Sequence, residues 1–219
     1  MNEFYLRQIA LWGEEKQELL KDKRVLIIGS GGLGCSIAFA LGSSGIGHFS
    51  FVDFDTVSSH NIHRQIAFEK SDVGKFKCEV LKSKILNRAV DVKIDCYIEN
   101  FEQFSNRDLI FDLIIDATDN LAVRVLIDKY AKIKNTPWIY GSVEKFLGQV
   151  CFFDKASFDM FNIIDRKPEG IACPIVMFVA SFQANLAIRY LVGLNVKKDL
   201  LNYIYMSDEG EFILQKFKV

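Results

Sequence analysis

Arg24-Val25-Leu26-Ile27-Ile28-Gly29-Ser30-Gly31-Gly32-Leu33-Gly34 is the stretch whose reading decides the fold. Val25 to Ile28 is a short apolar run that reads as a buried strand. It leads into Gly29, Gly31, Gly32 and Gly34, and then into a helix-like segment, Cys35 to Ser43. Strand, glycine loop and helix in this order make a Rossmann-type nucleotide site. Glycine lets the backbone turn tightly and lets a phosphate approach without a Cβ in the way. The helix offers unpaired N–H groups and the positive end of its dipole to an anion. Alone, the motif fits any nucleotide-binding or tightly turning α/β protein; its flanking strand and helix favour nucleotide binding. The expected architecture is α/β, a Rossmann-like and mostly parallel sheet with helices on both faces, extended by antiparallel C-terminal strands.

Working outward, residues 3–21 read as a helix broken at Gly13, and Arg7 on that helix reads from pattern alone as a solvated residue. Downstream, Gly45 and Gly47 turn the chain into a second strand, His48 to Asp55. Asp53 lies a little over 20 residues past Gly29, about the spacing of an acidic residue that holds ribose hydroxyls. One or both of Asp53 and Asp55 belong at the carboxyl edge of the sheet, where ligands bind in open α/β folds. Ser58 to Gln65 is a polar loop that a dehydrogenase does not need. Its Arg64 suits bidentate contact with phosphate, and His60 and His63 read as polar loop residues rather than metal ligands. Val73 to Ala89 reads as a helix with Lys75 and Lys77 near its start, where cations oppose the dipole unless an anion is bound. Val92 to Ile98 is a third strand, and Leu113 to Ile115 lies in a fourth that ends in Asp116-Ala-Thr-Asp119-Asn120. Thr118, Asp119 and Asn120 cap the next helix, Leu121 to Lys134; Asp119 either serves that cap or binds Mg²⁺ on a triphosphate. Strands follow at 137–140 and 148–153, the latter antiparallel. Residues 154–172 read as a mobile loop, Pro174 to Leu191 as a long apolar helix, and Tyr203–Met206 with Phe212–Leu214 as a closing hairpin.

The 219 residues, half of them hydrophobic, fit one large domain over 1–219. A net charge of -1 gives no basic surplus for nucleic acid. No apolar run approaches the ~20 residues that span a bilayer, and the start lacks the pattern of a signal peptide. Cys35, Cys78, Cys96, Cys151 and Cys173 are scattered, with no C-x-x-C pair. This fits reduced thiols in a cytoplasmic protein and argues against a tetrathiolate zinc site.

Taken in order, Arg7-Gln8, Gly29-Ser-Gly-Gly-Leu-Gly34, Asp53-Phe-Asp55, Asn61-Ile-His-Arg-Gln65, Val73-Gly-Lys-Phe-Lys77, Thr118-Asp-Asn120 and Gly148-Gln149 resemble the ThiF/MoeB family. Its members are relatives of the adenylation domain of ubiquitin-activating enzymes. The resemblance runs from about Phe4 to Leu214. It implies ATP- and Mg²⁺-dependent adenylation of the C-terminal glycine of a small ubiquitin-like sulfur carrier, ThiS-like or MoaD-like. It further implies a sulfurtransferase or cysteine desulfurase as a partner. Residue by residue, Gly32 would lie against the phosphates, with Gly29, Gly31 and Gly34 completing the loop, and Asp53 would hold the ribose with Asp55 nearby. Asn61, Arg64, Gln65 and Lys77 would bind the triphosphate, and Asp119 would position Mg²⁺ with Asn120 beside it. Arg7 matches an arginine that reaches into the neighbouring subunit's site, which implies a homodimer with shared sites.

Two departures stand out. The paired C-x-x-C motifs through which many members bind zinc do not occur, so zinc is not expected. The cysteine that joins covalently to the carrier in some members has Cys173 as its nearest candidate, while Arg166 stands nearer its position; this argues against a thioester or persulfide step. Thiamine and molybdopterin carriers share the motif set, with a slight lean to thiamine. Competing readings are a relative that adenylates a peptide or a tRNA base, a non-catalytic partner-binding subunit, and an NAD-dependent oxidoreductase. The last leaves Arg64, Lys77 and Asp119 unexplained.

Overall fold

The computed structural model describes residues 3–161 and 169–219. The amino-terminal segment forms α1 (Leu6–Trp12) and α2 (Glu14–Leu19), parted at Gly13, whose φ of 87° is left-handed. Then come β1 (Arg24–Ile28), α3 (Gly32–Leu41), β2 (His48–Val52), α4 (Lys77–Leu86), β3 (Lys93–Tyr97), α5 (Phe101–Phe104), β4 (Leu113–Asp116) and α6 (Leu121–Lys134). The chain closes with β5 (Trp138–Glu144), β6 (Leu147–Phe153), α7 (Cys173–Leu191), β7 (Leu200–Met206) and β8 (Phe212–Lys218). The strands form one eight-stranded sheet in the order β3-β2-β1-β4-β5-β6-β7-β8. From β3 to β5 all pairings are parallel, and from β5 to β8 all are antiparallel. Strand order reverses between β1 and β4, where Ile28 pairs with Asp116. Open α/β sheets bind ligands in the crevice that such a reversal leaves.

The two-residue period of the strands divides the core. Val25 and Ile27 of β1 face a cluster with α3, α4 and α7, whereas Leu26 and Ile28 face Phe101, Phe104, Ile127 and Tyr130 on the other side. β1 is therefore apolar on both faces, as a central parallel strand must be. α7 is long and apolar enough by length and composition to cross a membrane, contrary to the run-length expectation. Here its Ile175, Val176, Val179, Ala180, Ala184 and Leu191 pack into the core over the sheet.

Several expectations are corrected. β2 ends at Val52, because Asp53 turns its carboxylate back to the Ser30 N–H (2.6 Å) and the Asp55 N–H (2.8 Å). α4 begins at Lys77 rather than near Val73, because Gly74 at φ 88° and an extended Phe76 break the chain before it. β5, β7 and β8 run longer than apolar content alone suggested, since ladder pairing carries polar residues such as Asn202 and Lys216. α5 is one unanticipated turn, capped by Asn100. The start of the expected 154–172 loop is packed: Phe158 is buried against Trp138, Tyr140, Phe153 and Phe161. Asp165, Arg166 and Pro168 lie outside the described residues.

The closest packing joins the glycine loop to its helix. A Cβ at Gly34 would stand 2.0 Å from the Gly29 carbonyl oxygen. Gly34→Ala should cost about 1–3 kcal/mol or more, read as a lower urea midpoint. Gly170→Ala, where nothing lies within 4 Å, should stay within about 0.5 kcal/mol of the parent.

Candidate functional site

Gly29 carries the chain out of β1 at φ 94°, and a Cβ there would strike the Ala117 carbonyl oxygen at 2.7 Å. The glycine loop and the loop after β4 are thereby pressed together at the strand-order reversal. α3 starts at Gly32, inside the glycine motif, so its amino-terminal N–H groups open onto this crevice. Asp53 braces the loop by accepting from Ser30 N–H. Burial pushes the Asp53 carboxyl above its usual range, and the Ser30 and Asp55 N–H groups and Lys77 act against it.

Ser58 to Gln65 folds over the glycines. A Cβ on Gly32 would meet Val176 Cγ1 at 2.8 Å and the Arg64 carbonyl oxygen at 3.4 Å; one on Gly31 would meet Gln65 Nε2 at 3.5 Å. Gly32 is therefore required by packing on α7 as well as by any approach of phosphate. Asn61 is buried and accepts the Ser58 N–H at 3.3 Å. Gln65 is buried, and its Oε1 has no hydrogen-bond partner among the described residues. Arg64 is half-buried; its Nη1 contacts the His60 carbonyl oxygen at 3.3 Å and His63 Nε2 at 2.8 Å. This assigns His63 and His60 to supporting Arg64. Lys77 opens α4 with its side chain only 7 % exposed, and its Nζ donates to Asp55 Oδ2 at 2.6 Å. A cation at a helix start opposes the dipole, so Lys77 is poised for a further anion. Lys75 points instead to Asp72, at 2.9 Å.

On the β4 side, Asn120 caps α6 by accepting the Val123 N–H at 3.2 Å. The cap thus falls to Asn120, and Asp119 stays exposed, pairing with no cation among the described residues. Behind it lies a network that motif reading missed. Asp116 is fully buried and accepts from Thr118 N–H (2.9 Å), Thr118 Oγ1 (2.7 Å) and Arg124 Nε (3.0 Å). Arg124, also buried, donates through Nη2 to the carbonyl oxygens of Thr118 (2.6 Å) and Gly141 (3.0 Å) and lies over the Tyr140 ring. Gln183 Nε2 donates to the Asp116 carbonyl oxygen at 2.8 Å. Burial works against the charged Arg124, but Asp116, Tyr140 and Asp119 together outweigh it and raise the guanidinium's pKa. The signal in the sequence was an aspartate closing an apolar strand with an arginine eight residues on.

The structure thus brings together Gly29, Gly31, Gly32, Gly34, Asp53, Asp55, Asn61, Arg64, Gln65, Lys77, Asp119 and Asn120 around one crevice. It does not bring Arg7 there within a chain. Gln8 ties α1 to the Ser44 carbonyl oxygen at 3.0 Å, beside the turn that feeds the amino end of β2, and Arg7 is exposed. Cys173 is the first residue of α7 and is partly exposed rather than buried. The unpartnered Gln65 Oε1, the open α3 start and Lys77 fit a nucleotide's hydroxyl and phosphate groups. No cluster of three metal-ligating side chains forms among the described residues, so Asp119 would hold Mg²⁺ only together with phosphate oxygens.

The ThiF family model matches residues 5–219. The chain belongs to the ThiF family. The molybdopterin-synthase adenylyltransferase of Escherichia coli (strain K12) is 32% identical over 203 residues, covering 86% of this chain and 82% of that protein. The adenylyltransferase and sulfurtransferase MOCS3 of Caenorhabditis briggsae is 33% identical over 202 residues, covering 82% of this chain and 49% of that protein. The chain thus spans about half the length of MOCS3-type relatives. Among solved structures, E. coli MccB superposes with a TM-score of 0.89 at 21% identity, over 100% of this chain and 70% of that one. This likeness concerns the fold.

The Asp116–Arg124 network predicts a sharp stability difference. Arg124→Ala strands a buried carboxylate and should cost about 3–5 kcal/mol in urea unfolding. Arg64→Ala, on a half-buried side chain whose hydrogen bonds are all local, should cost about 1 kcal/mol.

Proposed function

We propose that this chain is an ATP-dependent adenylyltransferase that activates the C-terminal carboxylate of a MoaD-like sulfur-carrier protein. The carrying observation is Lys77, a nearly buried cation held by a half-exposed Asp55 at the edge of the glycine crevice. A nicotinamide site has no use for it, whereas a triphosphate does. The 32% identity to a molybdopterin-synthase adenylyltransferase, over most of that protein's length, supports the same activity and turns the choice of carrier from the thiamine side to the molybdopterin side.

In this reading Asp53 accepts the ribose hydroxyls, and the α3 start with Asn61, Gln65, Arg64 and Lys77 takes the phosphates. A carboxylate oxygen of the carrier attacks the α-phosphorus, a phosphorus–oxygen bond to the β-phosphate breaks, and pyrophosphate leaves. Negative charge meets negative charge, so the work of the site is neutralisation and in-line placement rather than proton transfer. Arg64 and Lys77 supply charge; Mg²⁺, when bound at Asp119, supplies more as a Lewis acid. Arg7 cannot serve its own site from α1, and reaches a site only from a second copy in a homodimer.

ATP–pyrophosphate exchange with a MoaD-like and a ThiS-like carrier tests the proposal. Exchange with the MoaD-like carrier is expected. A charge-assisted contact is worth ~1.5–3 kcal/mol, so Arg64→Ala should slow exchange about 10–100-fold, and Lys77→Met should behave alike while staying folded. Mixing inactive Arg7→Ala with inactive Asp119→Ala should restore part of the rate, because a mixed dimer holds one site with both residues intact. Folded protein that binds ATP but exchanges with neither carrier would contradict the proposal.

A further inference from the structure

Two thiols meet directly behind the Asp53 and Lys77 side of the crevice. Cys78 is the second residue of α4, next to Lys77, and is fully buried. Cys96 is the fourth residue of β3, an edge strand, and is partly exposed. Cys96 Sγ donates to the Cys78 carbonyl oxygen at 3.2 Å, which sets the two residues side by side. Cys96 also lines an open cleft of about 800 Å³, with Glu79, Lys82, Ser83, Asn87 and Tyr97 around it. A dissolved reagent therefore has a route to Cys96, while Cys78 is closed to solvent.

The pair is wired to Asp53. Cys78 Sγ lies 3.6 Å from the Asp53 carbonyl oxygen, and the Asp53 N–H donates to the Tyr97 carbonyl oxygen at 3.1 Å. The backbone of Asp53 is thus held between one cysteine and the neighbour of the other, and Lys77 precedes Cys78. The thiols also differ in reactivity. The neighbouring Cys78 holds the Cys96 thiol below its usual range, with burial opposing and Lys82 assisting, while Cys96 and burial push Cys78 up, so Cys96 is the attacking thiol. Burial pushes Cys35 and Cys151 up to about 12.

We propose that Cys96 and Cys78 are a reactive dithiol that exchanges with low-molecular-weight disulfides, and that its closure loosens Asp53 and Lys77. Cys96 gives its proton to solvent in the cleft and attacks one sulfur of the reagent. A Cys96–reagent disulfide forms, and the first reagent thiolate leaves and takes up a proton. Cys78 then loses its proton and attacks Cys96 Sγ, expelling the second thiolate, which is protonated in turn. The protein loses two electrons and two protons, and one small disulfide becomes two thiols. Closure draws Cys78 Sγ away from the Asp53 carbonyl oxygen, at the helix turn that begins with Lys77.

The test uses reduced full-length protein incubated with excess oxidised glutathione. Thiol titration should show two fewer free thiols, and non-reducing peptide mapping should join Cys78 to Cys96. Hydrogen–deuterium exchange should speed up in peptides spanning 51–56 and 75–80, and dithiothreitol should reverse it. Cys96→Ser should form no such link and show no such change, while keeping the reduced protein's exchange pattern. Cys78→Ala should stop at a glutathione adduct on Cys96. No Cys78–Cys96 link, or a link that leaves exchange in both peptides unchanged, would overturn the proposal. The consequence for nucleotide binding rests on the adenylyltransferase reading, and there ATP affinity should drop about fivefold or more on closure. Reduced protein that fails to bind ATP would count against that reading alone, since hydrogen exchange decides the dithiol.

Discussion

Arg124 holds together the two strand ends and the loop from which the crevice is built. Its guanidinium spans the Asp116 carboxylate at the end of β4, the Thr118 carbonyl oxygen in the loop beyond and the Gly141 carbonyl oxygen in β5. A buried pair of this kind adds little net stability over apolar packing but is costly to break. Its use here is geometric. With Asp116 fixed from three sides, the Ala117–Thr118 backbone is set against Gly29, and Asp119 is presented outward at a defined place. The glycine loop can approach so closely only because Gly29 and Gly34 lack side chains and the opposing loop cannot move.

The charges around the crevice fall into two layers. Inside, Asp116 and Arg124 neutralise one another and leave no charge for a ligand. Outside, Lys77 with Asp55, Arg64 with two histidines, and Asp119 with no ion-pair partner among the described residues are each incompletely satisfied. Preorganised groups facing a site where charge develops stabilise a transition state without reorganising. Lys77 carries such a charge into a nearly buried position at a helix start, which makes sense when an anion completes it. The rigid inner layer keeps that outer layer in register.

Most of the architecture was legible because the parallel core obeys simple rules. Val25 to Ile28 and Leu113 to Ile115 are apolar on both faces, and glycines punctuate the first crossover. Asp53 and Asp119 could be picked out because acidic residues at strand carboxyl ends are conspicuous against an apolar core, Arg64 and Lys77 as cations in a polar loop and at a helix start, and Asn61 only through the family resemblance. What escaped notice depends on contacts distant in the chain. Arg124 looks like one charged position on an amphipathic helix, and only the fold shows it buried against Gly141. Phe158 sits in a stretch without periodicity, and its packing on Trp138 and Tyr140 comes from the antiparallel extension. Strand ends at Glu144 and Lys218 were hidden because ladder hydrogen bonds, unlike side-chain burial, leave no mark in hydropathy. The adjacency of Cys78 and Cys96 likewise needs α4 packed on the edge strand β3.

Adenylation at this crevice is tested most directly by the fate of the α-phosphate. The protein would be incubated with a MoaD-like carrier, Mg²⁺ and ATP labelled in either the α- or the γ-phosphate, and the carrier recovered under mildly acidic conditions. Adenylation puts α-label on the carrier, bound as an acyl-adenylate that hydroxylamine removes, with γ-label released as pyrophosphate. Label on the carrier from the γ-phosphate, or none from either position with protein that binds ATP, would contradict it.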